Sequence, residues 1–141
     1  MKVLFIRPEP PEETIGLQHV MIVEPLELEI LATLIEKTHQ VQILDMILEK
    51  GDIKSFIENI RPDVVCVTGY ITHIYEMINV CRTAKEFNKN IKTIVGGVYI
   101  EKVPESIDSE FVDFRVVRNA TITFPELIKH IESINCENFS L

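Results

Sequence analysis

Residues whose types invite chemistry gather in two short stretches. VTGYITHIYEM carries hydroxyls at Thr68 and Thr72 around Gly69, and TIVGGVYIEKVPE runs a β-branched apolar segment into Gly96 and Gly97. Two small-residue openings of this kind suit a flat, extended group. Bare glycines permit close backbone approach, and Thr68 offers a hydrogen bond to a ring nitrogen at the bottom of such a slot. The competing reading is that Gly96 and Gly97 only turn the chain after a strand. Glu9, Glu12 and Glu13 read as a solvated loop, because without an apolar pocket those carboxylates stay ionised and have no acid–base task. Arg7, Arg115 and Arg118 fall near strand ends, where they either meet a phosphate or amide group or pair with neighbouring carboxylates; the sequence leaves both open. No nucleophile–base pair stands at recognisable spacing. Cys66, Cys81 and Cys136 lack any CxxC or CxxxCxxC spacing, so the chain offers neither a structural zinc site nor cysteine ligands for an iron–sulfur cluster.

The elements that must position these stretches follow from periodicity. Five β-rich runs, VLFI (3–6), VQIL (41–44), VVCV (64–67), TIV (93–95) and FRVV (114–117), alternate with helical patterns. Leu28, Leu31, Leu34 and Ile35 mark the first helix; Ile53, Phe56, Ile57 and Ile60 the second; Ile74, Met77, Ile78, Cys81 and Ala84 the third. After the double glycine, Val103, Pro104 and Ile107 support about two turns. Phe124, Leu127, Ile128 and Ile131 give the last helix, with a capping-box spacing from Thr123 to Glu126 that predicts entry at Thr123.

Regular β-α alternation implies a parallel sheet between two helical layers. Strands one, three and four are uninterrupted apolar runs, as expected when both faces are covered, whereas the second and fifth admit a polar residue, as edges can. The expected architecture is therefore a flavodoxin-like α/β sandwich with strand order 2-1-3-4-5. Ligands of such sheets sit at the carboxyl ends beside the reversal of winding, here in the loops after strands one and three to five.

Of the 141 residues, 46% are hydrophobic, enough for one domain with a substantial core, expected over 1–134 with a short tail at 135–141. A net charge of −8 with 14 Lys and Arg gives no cationic stripe for nucleic acid. MKVLFIRPEPPEE is neither a signal segment nor a membrane span, so a cytoplasmic location without membrane partners is expected. A receiver domain would place Asp after the third strand, where Thr68 and Gly69 stand. The acidic RPEPPEETIGLQH loop does not suit a flavin phosphate. GxGxxG and GxxxxGK[ST] are absent.

The pairing of TGYIT after the third strand with VGG after the fourth resembles the cobalamin-binding domain. More broadly, the proline-rich first loop, EPLELEILATLIEK, VQILD, RPDVVCVTG, the GG with VPE beyond it, and TFPELIKHI resemble the N-terminal domain of cobalamin-dependent radical S-adenosylmethionine enzymes, over Met1 to about Ile134. The resemblance implies a slot for the nucleotide tail of cobalamin, lined by Thr68, Gly69, Tyr70, Thr72, Gly96, Gly97, Val98 and Asn119, with the corrin ring over the strand ends. It also implies a radical S-adenosylmethionine catalytic domain in cis or in trans, to which methyl transfer or radical chemistry belongs. None of His19, His39, His73 and His130 matches the D-x-H-x-x-G cobalt-ligand pattern, so a cobalt without a protein histidine is expected. Tyr70 stands where a Leu is usual, Val98 where Pro is frequent, and Asn119 to Thr121 where a Gly-Glu-Gly run is usual. A second reading takes these departures as marks of a domain that has lost the cofactor and serves as an interaction or regulatory module.

Overall fold

The computed structural model describes residues 1–14 and 21–137, the last two by their backbone alone. Strands β1 (Lys2–Arg7), β2 (Gln40–Asp45), β3 (Val64–Thr68), β4 (Lys92–Gly96) and β5 (Phe114–Arg115) form one parallel sheet in the order β2-β1-β3-β4-β5. The helices between them are α1 (Leu26–Ile35), α2 (Ile53–Ile60), α3 (Ile74–Phe87), α4 (Val98–Lys102) and α5 (Ala120–Glu137). The strand chemistry explains the order. Every residue of β3 is buried, as a central strand requires, while Gln40 and Gln42 of β2 reach solvent at an edge.

Side-chain alternation divides the core into two halves. Leu4, Ile6, Val65, Val67 and Val95 face α2 and α3, where Ile57, Met77, Val80 and Cys81 meet them. Val3, Phe5, Val64, Cys66 and Ile94 face α1 and α5, where Leu28, Ala32, Ile35, Phe124, Ile128 and Ile131 meet them. On the first side, a polar tie secures the β5 end. The Asp113 carboxylate accepts from Lys85 Nζ at 2.5 Å and from the Thr93 amide at 2.8 Å, joining α3, β4 and the approach to β5.

Three local details differ from the sequence pattern. The last helix begins at Ala120, because Asn119 takes a left-handed φ of 45° and its carbonyl accepts from the amides of Ile122 at 2.8 Å and Thr123 at 3.0 Å. Thr123 therefore lies inside the first turn, its hydroxyl donating to the Arg118 carbonyl at 2.9 Å instead of capping. The chain turns into α4 directly after Gly97, with a 3-10 turn at Pro104–Ser106 following. Strand β5 is two residues long, Phe114–Arg115, although the Val116 amide beyond it still donates to the Val95 carbonyl of β4 at 2.9 Å.

Candidate functional site

The carboxyl ends of β3 and β4 finish with Thr68 opposite Gly96, the next pair on the same face, two residues beyond Cys66 opposite Ile94, which in turn continues to Phe5 on β1. All of these lie on the α1/α5 side. At the lower row the side chains fill the sheet surface; at the upper row Gly96 contributes none. The result is a cavity of about 270 Å³ between sheet and helices, with Phe5, Cys66 and Ile94 on the sheet side, Leu28 and Leu31 from α1, and Phe124 from α5. Phe5 and Phe124 meet as a tilted aromatic pair, ring centroids 5.4 Å apart. Burial pushes the Cys66 thiol well above its ordinary pKa, so it stays protonated and uncharged.

Beside this slot, over the strand ends, lies a wider depression of about 580 Å³. Gly69, Tyr70, Ile71, Thr72 and His73 border it on one side, Arg7, Pro10, Met21, Ile22 and Val23 on the other. Glu27, Thr68, Gly97 and Val98 line both spaces and form their junction. Ligand pockets typically occupy about 300–1,000 Å³, so the slot and depression together are on that scale.

The two adjacent glycines have different causes. Gly97 sits at φ 116°, and a Cβ there would lie 3.0 Å from both the Gly69 carbonyl oxygen and Thr68 Oγ1. The chain itself requires that glycine. A Cβ on Gly96 would meet only Val116, at 3.6 Å, an ordinary contact, and would otherwise project into open space. Among the described residues, nothing in the packing demands a glycine at 96. Thr68 adds a polar group to the opening: the residue is 7% exposed, and its hydroxyl, without a hydrogen-bond partner among the described residues, is open to the two spaces that it borders. It stands at the junction and not at the bottom of the slot, as the sequence pattern had suggested.

The remaining expected positions separate cleanly. Tyr70 is 67% exposed and stands over the depression, leaving the slot clear. Val98 and Thr72 are exposed at the rim. Asn119 lines neither space; its part is the left-handed turn that starts α5, a conformation Asn tolerates better than most residues. Its neighbours Arg118, Ala120 and Thr121 do line the slot. Among the three arginines the structure chooses. Arg7 pairs with Asp45 and donates to the Val23 carbonyl at 2.6 Å, and Arg115 donates to the Ile107 carbonyl at 2.7 Å. The Arg118 guanidinium has no polar partner among the described residues and sits at the slot.

His73 is buried, and its Nδ1 accepts from the Tyr70 amide at 3.2 Å, with the Thr72 hydroxyl also at 3.2 Å. An Nδ1 occupied as acceptor puts the proton of the neutral ring on Nε2. Burial lowers the His73 pKa, against a smaller opposing pull from Glu76, so the ring is neutral near pH 7. Cys81 lies in the opposite half of the core from Cys66, its thiol pushed up by burial to about 12. His19 lies outside the described residues. Sequence reasoning named the glycine and threonine rim but took Phe5, Leu28, Leu31 and Phe124 as ordinary core. Their periodicity is that of a packed face, and periodicity does not reveal whether a packed face closes completely.

A family model described as the B12 binding domain matches residues 13–128. The chain belongs to that family. Within it, an uncharacterized methyltransferase of Pyrococcus horikoshii is 31% identical over 133 residues, covering 91% of this chain and 29% of the relative. The hopanoid C-3 methylase of Methylococcus capsulatus is 32% identical over 100 residues, covering 69% of this chain and 19% of the relative. The chain thus spans less than a third of either relative. Among solved structures, the cobalamin-dependent S-adenosylmethionine radical enzyme OxsB, with aqua-cobalamin and S-adenosylmethionine bound, superimposes with a TM-score of 0.71 at 16% identity, over 94% of this chain and 19% of that one. A cobalamin-binding protein of Desulfitobacterium hafniense gives 0.58 at 14% identity, over 92% of this chain and 58% of that one. These two likenesses bear on the fold. No helix among the described residues is long and apolar enough to cross a membrane.

Proposed function

We propose that residues 1–134 form a cobalamin-binding module, the slot receiving the nucleotide tail and the depression the corrin ring. Gly96 carries this reading: among the described residues nothing in the packing calls for a glycine there, and it faces open space in an apolar slot. The residues present fit the group. Phe5, Leu28, Leu31, Ile94 and Phe124 offer apolar surface to a flat heterocycle. The unpartnered Thr68 hydroxyl at the junction and the unpaired Arg118 guanidinium suit the phosphate and ribose that join base to ring. Glu27 and Glu101 can accept from the amide groups of the corrin periphery. Gly69, Tyr70, Thr72, Gly97 and Val98 border the face on which the ring would lie, while Asn119 supports the site by setting where α5 starts.

Cobalamin, when bound, supplies a cobalt centre for methyl transfer or related radical chemistry. We assign that chemistry to another domain or partner, of radical S-adenosylmethionine type, in cis or in trans. Methyl transfer outside this chain is supported by the two longer relatives, a methyltransferase and a methylase, and the radical type by the fold shared with OxsB; the cysteines agree, since Cys66 and Cys81 lie in separate halves of the core and no cluster-binding spacing occurs. We also infer that no protein histidine ligates the cobalt. His73 borders the depression, but its Nδ1 is engaged and its Nε2 bears a proton, making it a donor and not a ligand. The loss-of-cofactor reading rests on Tyr70 and the Asn119 to Thr121 segment; Tyr70 and Asn119 do not line the slot, while Ala120 and Thr121 do, as small side chains at its rim.

The test is direct. Mixed with hydroxocobalamin and passed through gel filtration, the purified chain is expected to retain the pigment with an altered visible spectrum. Elution free of pigment at saturating cobalamin would overturn the proposal.

A further inference from the structure

The floor of the slot bears on which corrinoids it takes, an inference that rests on the reading above. Its polar lining belongs to the upper part: Thr68 ends β3, Glu101 lies on α4 just after β4, Arg118 and Thr121 flank the start of α5, and Glu27 opens α1. One strand row lower, Phe5, Cys66 and Ile94 present two apolar side chains and a thiol that keeps its proton, and Phe124 and Leu31 close over them. No carboxylate, amide or hydroxyl side chain lines that lower row among the described residues.

We propose that this slot selects corrinoids by the tail base, favouring a benzimidazole, whose outer edge is hydrocarbon, over a purine such as adenine. An adenine placed in the slot brings an exocyclic amine and ring nitrogens that water had satisfied and that Phe5, Leu31, Ile94 and Phe124 cannot pair with. Unpaired polar groups on burial lower affinity by about tenfold or more. Dimethylbenzimidazole brings two methyl groups to the same place and gains from their burial.

The experiment compares three corrinoids on the native chain by visible-spectrum titration: hydroxocobalamin, its adenine-tailed analogue, and cobinamide, which has no nucleotide. The benzimidazole form is expected to bind at least about tenfold more tightly than the adenine form, and the adenine form to gain little over cobinamide. Two tailed forms binding alike, both well above cobinamide, would overturn the selectivity and leave the slot as the tail's site. Equal binding of all three would also overturn it, showing that the tail stays outside while corrinoid binding stands. If none of the three binds, the proposed function itself fails. Cys66→Ser puts a hydroxyl into the floor without a change of shape, and in the folded variant the preference is expected to narrow; an unchanged preference would count against the assignment.

Discussion

The two faces of the sheet end differently at the same strands. Toward α2 and α3, Val67 and Val95 continue a filled core to the carboxyl ends, with Met77 and Ile100 closing over it. Toward α1 and α5, packing stops at Cys66 and Ile94, and the next pair, Thr68 and Gly96, opens the slot. Both faces use the same β-branched strands and the same helical spacing. What separates them is one missing side chain and one hydroxyl facing the opening, so stability and binding can be attacked on opposite faces independently.

The largest effect belongs to the filled face. Ile57→Ala removes a fully buried side chain and is expected to cost about 2–5 kcal/mol in denaturant unfolding. Corrinoid affinity measured well below the midpoint should be unchanged. Gly97→Ala comes next. It places a side chain at φ 116° and 3.0 Å from the β3 exit, and the strain is expected to cost about 1–3 kcal/mol. On the open face, Arg118→Ala should leave stability within about 0.5 kcal/mol while weakening hydroxocobalamin by about tenfold, read by titration; an effect on unfolding alone would remove Arg118 from the site.

The smallest effect concerns pH. Burial holds the folded His73 pKa below its ordinary 6.5, so its contribution to stability is full above that value and is lost as pH falls through 6.5 toward the folded pKa. Unfolding midpoints at about pH 7.5 and about pH 5.5 should therefore differ more for the native chain than for His73→Gln. Equal differences would show that His73 titrates as a free imidazole.

Much of this arrangement was legible in the residues. The contrast between VVCV and VQIL placed a central and an edge strand, because burial on both faces excludes polar side chains while an edge admits them. Gly96, Gly97 and Thr68 were recognisable as small or hydroxyl-bearing residues at strand ends, where this fold presents its ligands. The separate causes of the two glycines were not, since backbone φ and the approach of Gly69 depend on tertiary geometry. The start of α5 was displaced for a related reason: Asn119 adopts the left-handed turn that a capping-box spacing at Thr123 does not anticipate. Arg118 could not be told from Arg7 and Arg115, as pairing with Asp45 and Asp108 is set by β2 and the β5 approach.

Gly96→Val gives the most direct test of the slot as the cofactor's place. Its unfolding midpoint and its equilibrium affinity for hydroxocobalamin would be measured beside those of the native chain. The expected result is near-native stability, within about 1 kcal/mol, with affinity reduced at least about tenfold, because a Cβ at 96 meets only Val116 among the described residues, at an ordinary distance, and otherwise faces the slot. A stable Gly96→Val chain that binds hydroxocobalamin as tightly as the native one would contradict the account.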